Sequence, residues 1–134
     1  MALSASGGGY QVGDGNVSDV LMGVQATPIE LPIGTVNLTP AQVTSGLLVT
    51  VAGTAARTHN LPTGTAMDAA LVNAKVGSTF DLSVVNLGTS SGVITVQAGT
   101  GFTIVGTATV AITTSAQFRA RRAADASWVL YRLT

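Results

Sequence analysis

One histidine, six carboxylates and six basic side chains supply nearly all the acid–base chemistry of this 134-residue chain, which has no cysteine. A catalytic centre needs a nucleophile, a base and an orienting group within reach of one another. His59 lies in Arg57-Thr58-His59-Asn60-Leu61, a predicted strand with no partner motif beside it, and reads as a surface or structural histidine. The carboxylates Asp14, Asp19, Glu30, Asp68, Asp81 and Asp125 are scattered, and Asp68 suits helix capping better than catalysis. No Gly-x-Ser-x-Gly elbow occurs. The glycine-rich pieces Gly7 to Gly15 and Gly99 to Gly106 fit neither a dinucleotide fingerprint nor a phosphate loop with its lysine. Asp14-Gly15-Asn16 with Asp19 lacks the oxygen count and distal glutamate of a calcium loop, and reads as a turn. The expectation is a protein that is not an enzyme and uses no cofactor or metal.

The densest charge feature is Phe118-Arg119-Ala120-Arg121-Arg122. On a strand, Arg119 and Arg121 share one face. They form either a solvated face or a contact to a carboxylate-bearing partner, a task for which arginine is well suited. Residues 1–56 carry three acidic and no basic side chains, and residues 57–134 carry six basic and three acidic ones. With zero net charge and 4% aromatic residues, the chain offers little phosphate attraction and few stacking platforms, so nucleic acid is not an expected partner.

Charged residues make up 9% of the chain, against about 25% in ordinary soluble domains. A surface so poor in charge is weakly defended against association, which points to a partner or to self-assembly. Apolar residues make up 46%, which excludes wholesale disorder. No apolar run approaches the roughly 20 residues of a membrane helix, and Met1 to Gly9 lacks the pattern of a signal peptide. The expectation is a soluble protein made in the cytoplasm, with no membrane partner.

The 19 threonines, with frequent valine and isoleucine, favour strands. Residues 1–16 read as a flexible glycine-rich arm and residues 17–134 as one domain. Val17 to Val24 is a possible first strand. Thr39-Pro40-Ala41-Gln42 predicts a short helix capped by Thr39 and stopped by Gly46. A second helix follows, with Thr65 and Asp68 resembling a capping box and Met67, Ala70, Leu71 and Ala74 on one face. Strands are predicted at Leu47 to Ala52, Arg57 to Leu61, Ser78 to Asn86, Gly92 to Gln97, Phe102 to Val105, Thr107 to Ile112, Ala116 to Arg122 and Trp128 to Leu133. Phe102 to Ile112 is expected to turn at Gly106 as a hairpin. Phe80, Leu82, Val84, Ile94, Val96, Phe118 and Tyr131 are assigned to the core. The result is an all-β chain: a sandwich of about eight strands with one or two short helices, with a jelly roll as leading topology.

Several pieces in order resemble a domain of tailed-bacteriophage virion proteins. They are Ala55-Ala56-Arg57-Thr58-His59-Asn60-Leu61-Pro62-Thr63-Gly64, Ala66 to Asn73, Val76-Gly77-Ser78-Thr79-Phe80, Val84-Val85-Asn86, Ala98-Gly99-Thr100-Gly101-Phe102, Phe118-Arg119-Ala120-Arg121 and Trp128-Val129-Leu130-Tyr131-Arg132. Tyr10-Gln11-Val12-Gly13-Asp14-Gly15-Asn16 resembles the start of small phage capsid proteins. The resemblance is to capsid cement, or decoration, proteins. It implies a jelly-roll-like sandwich that binds the outside of the capsid and stabilises the lattice of the major capsid protein, as a dimer or trimer, with no catalytic residues. Similar domains occur in phage fibres, head spikes and tails, so receptor or glycan binding is the alternative, with Trp128, Tyr10 and Tyr131 as plausible aromatic platforms. The expected contact residues are Tyr10, Gln11, Val12, Gly13, Asp14 and Asn16 of the arm, with Arg119, Arg121 and Arg122.

Overall fold

In the computed structural model the described residues are 23–30, 34–50 and 55–134. The arm residues Tyr10 to Asn16, and most of the possible strand Val17 to Val24, lie outside them; Gly23 and Val24 are not in a strand. Alternation of β-branched and polar residues over short runs gives ten strands among the described residues. They are β1 (Ile29–Glu30), β2 (Thr35–Asn37), β3 (Leu47–Thr50), β4 (Arg57–Asn60), β5 (Thr79–Asn86), β6 (Ile94–Gln97), β7 (Phe102–Val105), β8 (Thr109–Val110), β9 (Thr114–Ala124) and β10 (Ser127–Arg132). Two short helices join them, α1 (Pro40–Thr44) and α2 (Gly64–Ala70).

The strands form two sheets, a larger one ordered β1-β3-β5-β9-β10-β7 and a smaller one ordered β2-β4-β6-β8. From β1 to β6 the chain changes sheet after every strand. Thus β1, β3 and β5 lie side by side and parallel, as do β2, β4 and β6. The chain then visits the far edge of the large sheet as β7 and returns to the small sheet as β8, antiparallel to β6. The antiparallel pair β9–β10 fills the space between β5 and β7. A jelly roll is built of antiparallel strands. This winding, with parallel neighbours, departs from that expectation. The hairpin expected at Gly106 is also absent: β7 pairs with β10, β8 pairs with β6, and the turn carries the chain between sheets.

The core lies between the sheets. Leu48, Leu82, Val84, Phe118, Ala120, Trp128 and Leu130 come from the large sheet, and Ile94, Val96 and Val110 from the small one. Phe80 is half-buried against this cluster. Tyr131, assigned to the core from sequence, is exposed instead. The alternation along β10 is as read, but Trp128 and Leu130 take the inner face. Trp128 and Leu130 are 1% and 0% exposed there, and Trp128 packs against Phe80 and Phe102.

Helix α1 starts as its sequence dictates. The Thr39 hydroxyl accepts from the Gln42 N–H, the Gln42 side chain accepts from the Thr39 N–H, and Pro40 occupies the first turn. Gly46 follows with a φ of +86°, a conformation that favours glycine. Helix α2 begins earlier than expected. Its cap is Thr63, whose hydroxyl accepts from the Ala66 N–H. Gly64 opens the helix because a Cβ there would overlap the Ala126 carbonyl of the β9–β10 turn.

Candidate interaction surface

The outward side chains of the large sheet form a regular grid. Across β5, β9, β10 and β7, one row reads Asp81, Arg119, Tyr131, Val105. The adjacent row reads Thr79, Arg121, Val129, Thr103. Arg119, Arg121 and Gln117 are outward because Ala116, Phe118 and Ala120 of the same strand are buried. Tyr131 is 36% exposed, Val105 48% and Leu133 45%. A guanidinium-rich side thus adjoins an aromatic and aliphatic side on one stiff face.

Within this grid Arg119 grips Asp81 with Nε to Oδ1 at 2.7 Å and Nη2 to Oδ2 at 3.2 Å. The pair holds the Asp81 carboxyl below its ordinary pKa and raises that of Arg119, chiefly through the shared hydrogen bonds. Both side chains are about half exposed. Such a pair contributes little to stability. Arg121 has no ion pair among the described residues and presents its donors outward. Arginine beside tyrosine is a composition favoured at protein–protein contacts.

The structure separates Arg122 from its neighbours. It lies on the other side of β9, its side chain mostly buried, and bonds Asp68 through Nε–Oδ1 at 3.0 Å and Nη2–Oδ2 at 2.9 Å. It also meets Asp125 at 2.8 Å. Asp68 accepts further bonds from the Ala126 N–H at 2.7 Å and the Trp128 indole N–H at 2.9 Å. The Asp68 carboxyl is held well below the usual carboxylate range, first by Arg122, then by the Ala126 N–H, and also by the Trp128 indole. Asp68 is therefore a tie between α2 and the β9–β10 turn, not the helix cap expected from sequence. Trp128, one of the plausible glycan platforms, is buried.

The sequence signal for this tie is weak, because Asp68 and its partners stand 54 to 60 residues apart.

His59 is fully buried on the inner face of β4, two residues from the buried Arg57. Both ring nitrogens of His59, and Nε and Nη1 of Arg57, lack hydrogen-bond partners. Burial lowers the His59 pKa first, and the Arg57 charge lowers it further. No carboxylate among the described residues hydrogen-bonds the His59 ring. Among the described residues, no group of three or more His, Cys, Asp or Glu is placed to hold a metal ion. Asp14, Gly15 and Asn16, with Asp19, lie outside the described residues. No protein-family model, curated protein or solved structure matches this chain.

Proposed function

We propose that this chain is a non-enzymatic structural virion protein. It binds the outer surface of a tailed-phage capsid and cements the lattice of the major capsid protein, acting as a homo-oligomer. The observation that carries the reading is the outer face of the large sheet, where Arg119 and Arg121 adjoin Tyr131 and Val105 in a regular patch. The ordered likeness to phage virion domains supports the same reading from sequence.

A cement protein works by binding the assembled shell and not its separate subunits. Its affinity then shifts the equilibrium toward the intact lattice by mass action. Many copies, each bridging two capsid subunits, multiply the effect through multivalency. A rigid two-sheet body suits this task because little entropy is lost when it docks. A chain with 9% charged residues allows a wide contact without stripping water from many ions.

Reconstitution on empty, expanded shells tests the proposal. Added protein is expected to appear as a regular layer on the outer surface in electron micrographs. Protein that adsorbs instead to host cells or glycans supports the fibre or spike alternative.

A further inference from the structure

At one end of the sandwich the layer between the sheets is polar. Strand β3 ends at Thr50 and the chain crosses to the small sheet, where β4 starts at Arg57. Strand β5 ends at Asn86, in register with Thr50, and β6 starts at Ile94, in register with Arg57. The Asn86 amide donates to the Gly92 carbonyl at 3.2 Å, and the Arg57 N–H donates to the neighbouring Val93 carbonyl at 2.9 Å. Thr50, Asn86 and Arg57 therefore share one end of the core, and each is at most 7% exposed. His59 follows two residues along β4 on the same inward face, in register with Val96.

Asn86 is fully engaged, since it also donates to the Val110 carbonyl at 3.1 Å and accepts from the Gly88 N–H at 2.9 Å. Its neighbours are not. Nε and Nη1 of Arg57, both ring nitrogens of His59 and the Thr50 hydroxyl are buried without a hydrogen-bond partner. A guanidinium keeps its charge in a protein interior, so Arg57 cannot relieve its burial by losing a proton. The ion pairs of Asp68, Asp81 and Asp125 go to Arg122 and Arg119, and none of these carboxylates answers Arg57. A buried positive charge without a counter-charge is strongly destabilising, and an anion beside it removes the penalty. Burial and the Arg57 charge lower the His59 pKa, so the ring adds no second charge at neutral pH. One permanent charge matches a monovalent anion. The close-packed Leu48, Val84, Ile94 and Val96, each at most 2% exposed, favour a small one.

We propose that Arg57 anchors an interior site for a small monovalent anion, of which chloride is the simplest, beside the His59 ring and the Thr50 hydroxyl. Arg57 is itself 7% exposed, so the site borders solvent. The bound anion stabilises the folded chain at the end where β3 crosses to β4. The inference is independent of the capsid-binding proposal, since it concerns the interior of one chain.

Two measurements on the full chain decide it. In the first, sodium chloride replaces sodium gluconate at fixed ionic strength during thermal denaturation, gluconate being too bulky for the core. The melting temperature is expected to rise with chloride and to saturate, as mass action on a folded-state site requires. Arg121→Ala, on the outer face, is expected to keep this response, and Arg57→Met to lose it. A melting temperature indifferent to the exchange of anions overturns the proposal, as does a response in Arg57→Met equal to the parent's. Because Arg57→Met alters the core and can fail to fold, the second measurement uses the parent chain. In nuclear magnetic resonance spectra the Arg57 Nε–H signal is expected to shift saturably with chloride, at the same half-saturating concentration as the melting temperature, while the Arg121 signal stays in place. An Arg57 signal that does not shift, or shifts only as that of Arg121 does, overturns the proposal.

Discussion

Asp68 and Arg122, 54 residues apart in sequence, face each other as a two-pronged ion pair, with Nε to Oδ1 at 3.0 Å and Nη2 to Oδ2 at 2.9 Å. The same carboxylate holds the Ala126 N–H and the Trp128 indole, so one side chain fastens α2 to the β9–β10 turn. Asp68→Asn puts amide donors against donors. It is expected to lower the melting temperature by several degrees, whereas Asp81→Asn, in an exposed pair, changes it little. Thermal denaturation of the two variants side by side checks this.

Acid should act through the same tie. The folded-state pKa of Asp68 lies below its ordinary value of 3.8. Its contribution is therefore fully present above that value and is lost as pH falls through the folded pKa. Asp68→Asn removes this part of the acid dependence. Chemical denaturation across the acid range should show a shallower slope for the variant than for the parent.

His59 gives a second dependence at higher pH. Its pKa is lowered in the fold from an ordinary value of 6.5, so the unfolded chain takes up a proton first. Stability from the neutral imidazole is full above 6.5 and falls as the pH drops below it. His59→Leu removes an unpartnered buried polar ring and fills the same inner face. It is expected to flatten the slope below 6.5 with little loss of stability at neutral pH.

Gly64 marks the closest approach between α2 and the hairpin. A methyl group there meets the Ala126 carbonyl oxygen, which cannot move without disturbing the Asp68 tie. Gly64→Ala is expected to cost about 1–3 kcal/mol, the range for forced overpacking. Gly23→Ala, with nothing near its Cβ position, is expected to change stability by less than about 0.5 kcal/mol. Urea titration distinguishes the two.

Capsid affinity should depend on the outer face and on the arm. Arg119→Ala with Arg121→Ala is expected to weaken binding by roughly tenfold or more and to reduce its salt dependence, with the fold intact. Deleting residues 1–16 is expected to weaken it separately. Sedimentation at two salt concentrations reads both. Affinity unchanged in either variant removes that contact from the account.

Much of the fold is legible in local sequence. Thr39, Pro40, Gln42 and Gly46 specify α1 because capping is a matter of neighbours in the chain. Alternation locates β5 and β9 and puts Arg119 and Arg121 on one face. Strand order is not legible, because parallel neighbours such as Val49 and Val85 are set by long-range packing. Parity alone does not say which side of β10 faces inward, so the exposure of Tyr131 is not legible in the sequence. Asp68 has the local look of a cap, and only distant Arg122 and Trp128 turn it into a tie. Arg122 leaves the contact surface by the same long-range pairing.

Co-sedimentation with capsid shells lacking this protein tests the central claim most directly, using expanded and unexpanded shells in parallel. The account expects saturable binding to the expanded shell alone, because only the mature lattice presents both halves of the bridging site. A folded protein that binds neither form would contradict a role as capsid cement.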